Sequence, residues 1–148
     1  MAKMGVFQTA PRKWFPYDED SLVLIEYINK ERIGKLIEKS QKSAQALKAS
    51  QSIVYDVFFG KEAVHGWKHG IKENHAGLLL PNGTPIEFTP ENRNMLMRGC
   101  REFSDFVFLT ATSAKNFLED NEEDPDAKGL DGLDEFMENM DEGPEIKN

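Results

Sequence analysis

A chain of 148 residues with 39% hydrophobic and 30% charged residues has the size and mix of one folded domain, long enough to bury a core without cross-links. Its one cysteine, Cys100, excludes an internal disulfide, and no apolar run has the length of a signal peptide or a bilayer span, so a cytoplasmic protein with no membrane partner is expected. The net charge of −8 is unevenly spread: residues 119–148 hold 13 Asp or Glu against Lys128 and Lys147, a local −11 that leaves residues 1–118 at +3.

Residues 5–17 read as extended. Val6, Phe7, Trp14, Phe15 and Tyr17 favour strand, and Pro11 and Pro16 exclude helix. Asp18-Glu19-Asp20 reads as a turn into Ser21–Ile28, which has the apolar density of a buried strand, so an N-terminal β-hairpin is expected. From residue 30 to 49 Ile33, Leu36, Ile37, Ala44 and Leu47 recur at three- and four-residue steps, a helical stripe with Lys and Gln opposite. Ile53, Val57, Val64, Trp67 and Ile71 predict a second helix over about 53–71, interrupted in character by Gly60 and Gly66. Lys72–Phe88 reads as a loop or small hairpin around Asn82-Gly83, with Leu78–Leu80 and Ile86–Phe88 as its arms.

Phe88-Thr89-Pro90-Glu91-Asn92 is the clearest helix start in the chain. Thr89 caps, Pro90 at the first position gives up no needed hydrogen bond, and Glu91 suits the positive helix end. A helix over about 90–118 is expected behind it, with the stripe Leu96, Cys100, Phe103, Val107, Ala111, Ala114 and Leu118 widened by Phe106 and Phe117, and with Gly99 as a point of division. The expected class is therefore mainly α with a small β element (α+β). One domain is expected over 1–118, followed by an acidic, largely disordered tail over 119–148. Within that tail, Leu130, Leu133, Phe136, Met137 and Met140 form an apolar island. The last four stand at i, i+3, i+4 and i+7, the spacing of a short binding helix over 130–140. Its acidic flanks suit a basic target, which makes the mildly basic body itself one candidate.

The residue pattern gives little to catalysis. His65 and His69 would share a helix face, with His75 following, but Gly66 stands where a zinc-hydrolase helix carries Glu. Packing or exposed histidines, with no metal, are the plainer reading. Cys100 on the apolar stripe reads as a core thiol rather than a nucleophile. No phosphate-cradling loop, serine-hydrolase elbow or dinucleotide fingerprint is present, so no enzyme and no cofactor are expected. The basic residues from Lys30 to Lys48 are diluted by Glu31 and Glu38 and lack interleaved aromatics, so no nucleic-acid partner is expected.

Two segments carry a resemblance. The first is Ala63-Val64-His65-Gly66-Trp67-Lys68, with Gly77-Leu78 in the following loop. The second is Gly83 through Phe88-Thr89-Pro90-Glu91-Asn92-Arg93, followed by Ser104-Asp105-Phe106-Val107. Together, over roughly 53–118, they resemble the tail assembly chaperone-like proteins of long-tailed bacteriophages, in which a Gly-Trp pair at a helix end precedes a loop and a Pro-Phe-Thr-Pro-Glu-Asn-like helix start. Ile86-Glu87 departs from that pattern. The resemblance implies a non-enzymatic morphogenesis protein that binds the tape measure protein during tail assembly in the host cytoplasm, itself a possible homo-oligomer. Gly66, Trp67, Thr89, Pro90, Asn92 and Phe106 match motif positions, with structural roles expected. Two other readings stay open: a structural head-tail component of the virion, and an acidic, nucleic-acid-mimicking inhibitor of a host protein.

Overall fold

The structure, a computed structural model, describes residues 2–118. The tail expected from 119 onward, with its island at Leu130, Leu133, Phe136, Met137 and Met140, lies outside the described residues. Met4–Asn116 form one compact unit. The class is α+β: among the described residues, five helices accompany one three-stranded antiparallel sheet of order β1-β2-β3.

The hairpin forms where the sequence places it. β1 (Arg12–Pro16) pairs with β2 (Ser21–Glu26), with Trp14 opposite Leu24 and Phe15 opposite Val23. Asp18 makes the turn by accepting from its neighbours: its Oδ1 takes the Asp20 N–H at 2.9 Å and the Ser21 hydroxyl at 2.6 Å. Along β2 burial alternates with the pleat, so Ser21, Val23 and Ile25 face inward and Leu22, Leu24 and Glu26 outward.

α1 (Lys30–Leu47) starts at Asn29, whose side-chain oxygen accepts the Arg32 N–H at 2.9 Å. It stops when Lys48 turns into the left-handed region (φ 54°). Its inward stripe is Leu36, Ser40 and Ala44, and Ser40 is tolerated there because its hydroxyl donates to the Ile37 carbonyl at 2.8 Å.

The expected helix over 53–71 is corrected. α2 (Gln51–Ala63) ends halfway, and β3 (Val64–His69) follows without a loop. The same residues supported both readings: Val64, Trp67 and Ile71 fit a helical stripe, but Val64-His65-Gly66-Trp67 also alternates as a strand. A free sheet edge on β2 decides the matter by supplying hydrogen-bond partners from Ser21 to Ile25. A register shift at Leu24/Ile25 absorbs one extra residue in β3. Ile71, counted in the helical stripe, is 85% exposed beyond the strand end.

The Asn82-Gly83 turn forms the narrow loop expected of it. Leu80 N–H donates to Thr84 at 2.8 Å, Ile86 N–H donates to Leu78 at 2.8 Å, and Leu79 bridges Pro85. Gly77 (φ 86°) is required where this loop leaves β3, because a Cβ there would stand 2.5 Å from the Lys68 carbonyl oxygen.

The helix expected over 90–118 divides after Gly99, where division was expected, and again after Ala111, giving α3 (Pro90–Gly99), α4 (Arg101–Ala111) and the single turn α5 (Lys115–Leu118). Cys100 divides the first two in extended backbone (φ −120°, ψ 103°). It is half-buried, with its thiol 3.7 Å from Glu102, so the reading of a core cysteine on a continuous stripe is corrected. The division lets α4 turn Phe103, Val107 and Ala111 inward while α3 contributes Met97. The core therefore lies between the inner face of the sheet (Val23, Ile25, Val64, Trp67) and Phe59, Met97, Phe103 and Val107 of the helices. Gly60 lets α2 and α3 approach closely, since any side chain there would run into Met97.

Candidate partner-binding surface

The motif residues converge on one joint. Trp67, from the outer strand β3, points inward at 6% exposure, and its indole N–H donates to the Ile86 carbonyl at 2.7 Å. Its ring meets Phe88 edge-on at 4.8 Å and Phe103 at 5.9 Å. Thr89, immediately after Phe88, accepts the Asn92 N–H at 3.0 Å and so caps α3 with Pro90 in its first turn. Asn92 also ties the incoming chain down, its amide nitrogen donating to the Glu87 carbonyl at 2.8 Å. Phe106 stacks edge-on against Tyr17 at 5.0 Å, linking α4 to the end of β1. Gly66 faces the other way, beneath Trp14, where Lys68 places its ammonium 4.2 Å from the ring. The Gly-Trp pair thus belongs to a strand rather than a helix end, and its two residues serve opposite faces of the sheet.

The three histidines are dispersed on strand and loop, not gathered on a helix face. His65 Nε2 lies 2.9 Å from Glu26 Oε1 and 2.9 Å from the Glu62 carbonyl, so one N–H serves two oxygens. Glu26 also receives Arg12 at 3.0 Å and Arg32 at 2.7 Å, and Arg32 reaches Glu62 at 2.8 Å. Burial pushes the Glu26 carboxyl up, but hydrogen bonds from Arg32 and Arg12 outweigh it and hold the group below its usual range. This network fastens α1 and α2 to the end of β2.

His69 and His75 meet edge-on at 4.9 Å beside a cleft of about 380 Å³ that also borders Asp18, Asp20, Lys72 and Cys100. His69 Nδ1 accepts the N–H groups of Ile71 and Lys72 at 3.0 and 2.9 Å, and His75 Nδ1 accepts that of Gly77 at 3.0 Å. Both rings therefore accept backbone N–H groups through Nδ1 and shape the loop. Among the described residues, no group of three or more His, Cys, Asp or Glu is arranged to hold a metal ion.

The open apolar surface lies on the helices. α4 buries Phe103, Ser104, Val107 and Ala111 along one side, yet it leaves Phe108, at the margin of that side, 38% exposed and Leu109, opposite it, 67% exposed. Phe108 touches Phe59 at 5.2 Å, and Phe59 touches Tyr55 at 5.9 Å, so an aromatic row crosses from α4 to α2. Two carboxylates flank it. Burial raises the Asp56 carboxyl first, and the charge of Asp105 raises it further. Burial also raises the Tyr55 phenol, with Asp56 adding to the effect. Sequence reasoning missed this surface because Phe108 and Leu109 were off the stripe it followed. The signal was present: a helix with one buried apolar side does not need Phe-Leu outside it.

Compared with known proteins, the chain matches no family model, no curated relative and no solved structure. No helix among the described residues is long and apolar enough to cross a membrane.

Proposed function

We propose that this chain is a protein-binding assembly factor, a tail assembly chaperone of a long-tailed phage, that covers apolar helix on the tape measure protein in the host cytoplasm until the tail is built. The observation that carries the binding half of this reading is the exposure of Phe108, at the margin of the buried side of α4, and of Leu109, opposite that side. Exposed apolar side chains next to one another on a surface cost solubility unless a partner covers them. The phage half rests on the motif residues. Trp67, Phe88, Thr89 and Asn92 are not scattered matches but neighbours in one joint, as expected of residues that specify a shared architecture.

Such a factor works by reversible coverage rather than by chemistry. A tape measure protein is long, helical and apolar along one face, and it must stay soluble before the tube encloses it. A small partner with a strong net charge supplies that solubility.

The test is co-expression of the full chain with a tape measure protein of a long-tailed phage. Retention of that protein in the soluble fraction as a complex, and the chain's absence from purified particles, supports the proposal. Presence in particles moves the reading to a structural head-tail component. A salt-sensitive complex with a host nucleic-acid-binding protein alone moves it to an acidic inhibitor.

A further inference from the structure

We propose that the seam between α2 and α4 docks a basic amphipathic helix of the partner protein, with its apolar side chains on Phe108, Leu109 and Tyr55 and its Lys or Arg heads on Asp56 and Asp105. This rests on the protein-binding reading above and adds the place and the chemistry of the partner.

The seam has a consistent geometry. Phe59 meets Phe108 across it, Asp56 and Asp105 each stand three residues earlier on their own helices, and the Asp105 charge acts on Asp56. The two carboxylates therefore sit one helical turn along the seam from the aromatic pair. Leu109 stands four residues after Asp105, so the acid and the exposed leucine share one side of α4. Both helices satisfy their own backbone hydrogen bonds. An extended peptide would find no strand edge here, whereas side-chain ridges on two packed helices accept a third helix.

The carboxylates decide the occupant. Among the described residues the ion pairs are those of Arg12, Arg32, Glu26, Glu62 and His65, and neither Asp56 nor Asp105 has a cation within ion-pair distance. A helix laid over Phe108 and Leu109 removes water from the two acids. Left unpaired, they oppose docking. An acidic helix adds like-charge repulsion. A helix carrying Lys or Arg beside its apolar face turns the same pair into charge-assisted contacts and fixes its register.

The experiment uses the full chain and three fluorescent peptides of about 20 residues. All share one leucine face, with a polar face of Lys, Gln or Glu, and binding is read by anisotropy. The expected result is that the Lys peptide binds at least about tenfold more tightly than the Gln peptide and the Glu peptide least. Asp56→Asn with Asp105→Asn should bring the Lys peptide to the Gln level. Leu109→Ser should weaken the Lys and Gln peptides alike. Circular dichroism and urea unfolding of each variant confirm that it remains folded. Equal binding of Lys and Gln peptides overturns the inference, as does a Lys preference that survives the double variant. If no peptide binds, the inference falls, and the co-expression test decides separately whether the protein-binding reading falls with it.

Discussion

Two aromatic clusters meet on α4 and are treated in opposite ways. On the inner side Phe103, at 1% exposure, closes a nest with Trp67, Phe88 and Tyr17 in which the indole N–H is paired with the Ile86 carbonyl. On the outer side Phe108 and Tyr55 reach Phe59 but stay open to water, with Leu109 beside them. The residue types are the same. What differs is whether the fold supplies a lid. β3 itself supplies Trp67 to the first cluster, whereas the second is built from α2 and α4 and leaves Phe108 and Leu109 exposed. Apolar content alone therefore does not tell core from binding surface. The test is whether the polar groups within the cluster are already paired: the Trp67 N–H is paired, and among the described residues no cation pairs with Asp56 or Asp105.

Changes to the closed cluster should have the largest effect. Trp67→Ala removes the residue on which the sheet, the Ile86–Phe88 segment and α4 converge, and it should cost roughly 3–5 kcal/mol in urea unfolding. It would also leave the Ile86 carbonyl without its donor. If the loss is under about 1 kcal/mol, the joint is not the centre of the fold. Gly77→Ala should follow closely, because both its positive φ and the Lys68 carbonyl oppose a side chain. A smaller loss comes from the cap. Thr89→Ala should cost about 1 kcal/mol, and Thr89→Ser should restore most of it, since the hydroxyl that accepts the Asn92 N–H is kept.

Acid should weaken the closed side in two stages. Burial, then the nearby His75, depresses the His69 pKa against the opposing pull of Asp20 and Asp18. The stabilisation linked to His69 is present above its unfolded pKa of about 6.5 and is lost as pH falls through the lower folded value. Glu26 behaves likewise further down: its contribution is present above about 4.5 and is lost as pH falls through its depressed folded pKa. Hydrogen exchange at Ile71 and Lys72 should report the first stage, since a protonated His69 Nδ1 can no longer accept their N–H groups. Protection factors there that do not change between pH 7.5 and 5 would contradict this account of the loop.

Much of the fold was legible because local signals agreed. The Asp18 turn, the Thr89 start and the Gly83 turn each rest on one residue making local hydrogen bonds or taking one positive φ, and such features need no knowledge of the rest of the chain. The failures came where two periods coincided. Val64-His65-Gly66-Trp67 satisfies helix and strand spacing alike, and only the vacant edge of β2, a tertiary fact, selects the strand. Cys100 lay on a plausible helical stripe, yet the helix divides at Gly99, as expected of that glycine, which leaves Cys100 half-buried in extended backbone while Met97 and Phe103 both enter the core. At the site, the motif residues could be named from sequence but not their convergence. The open face was signalled only by Phe108-Leu109 lying off the buried stripe, and how far each of the two stays exposed depends on the packing around α4.

The smallest stability effect should accompany the largest functional one. Leu109→Ser should change unfolding free energy by no more than about 0.5 kcal/mol, given that the side chain is 67% exposed. The decisive measurement pairs that unfolding curve with capture of the co-expressed tape measure protein by the same variant. A fully folded Leu109→Ser protein that no longer keeps its partner soluble is the result predicted here. Undiminished capture by that variant and by Phe108→Ser would contradict the claim that the open face of α4 is where this protein binds.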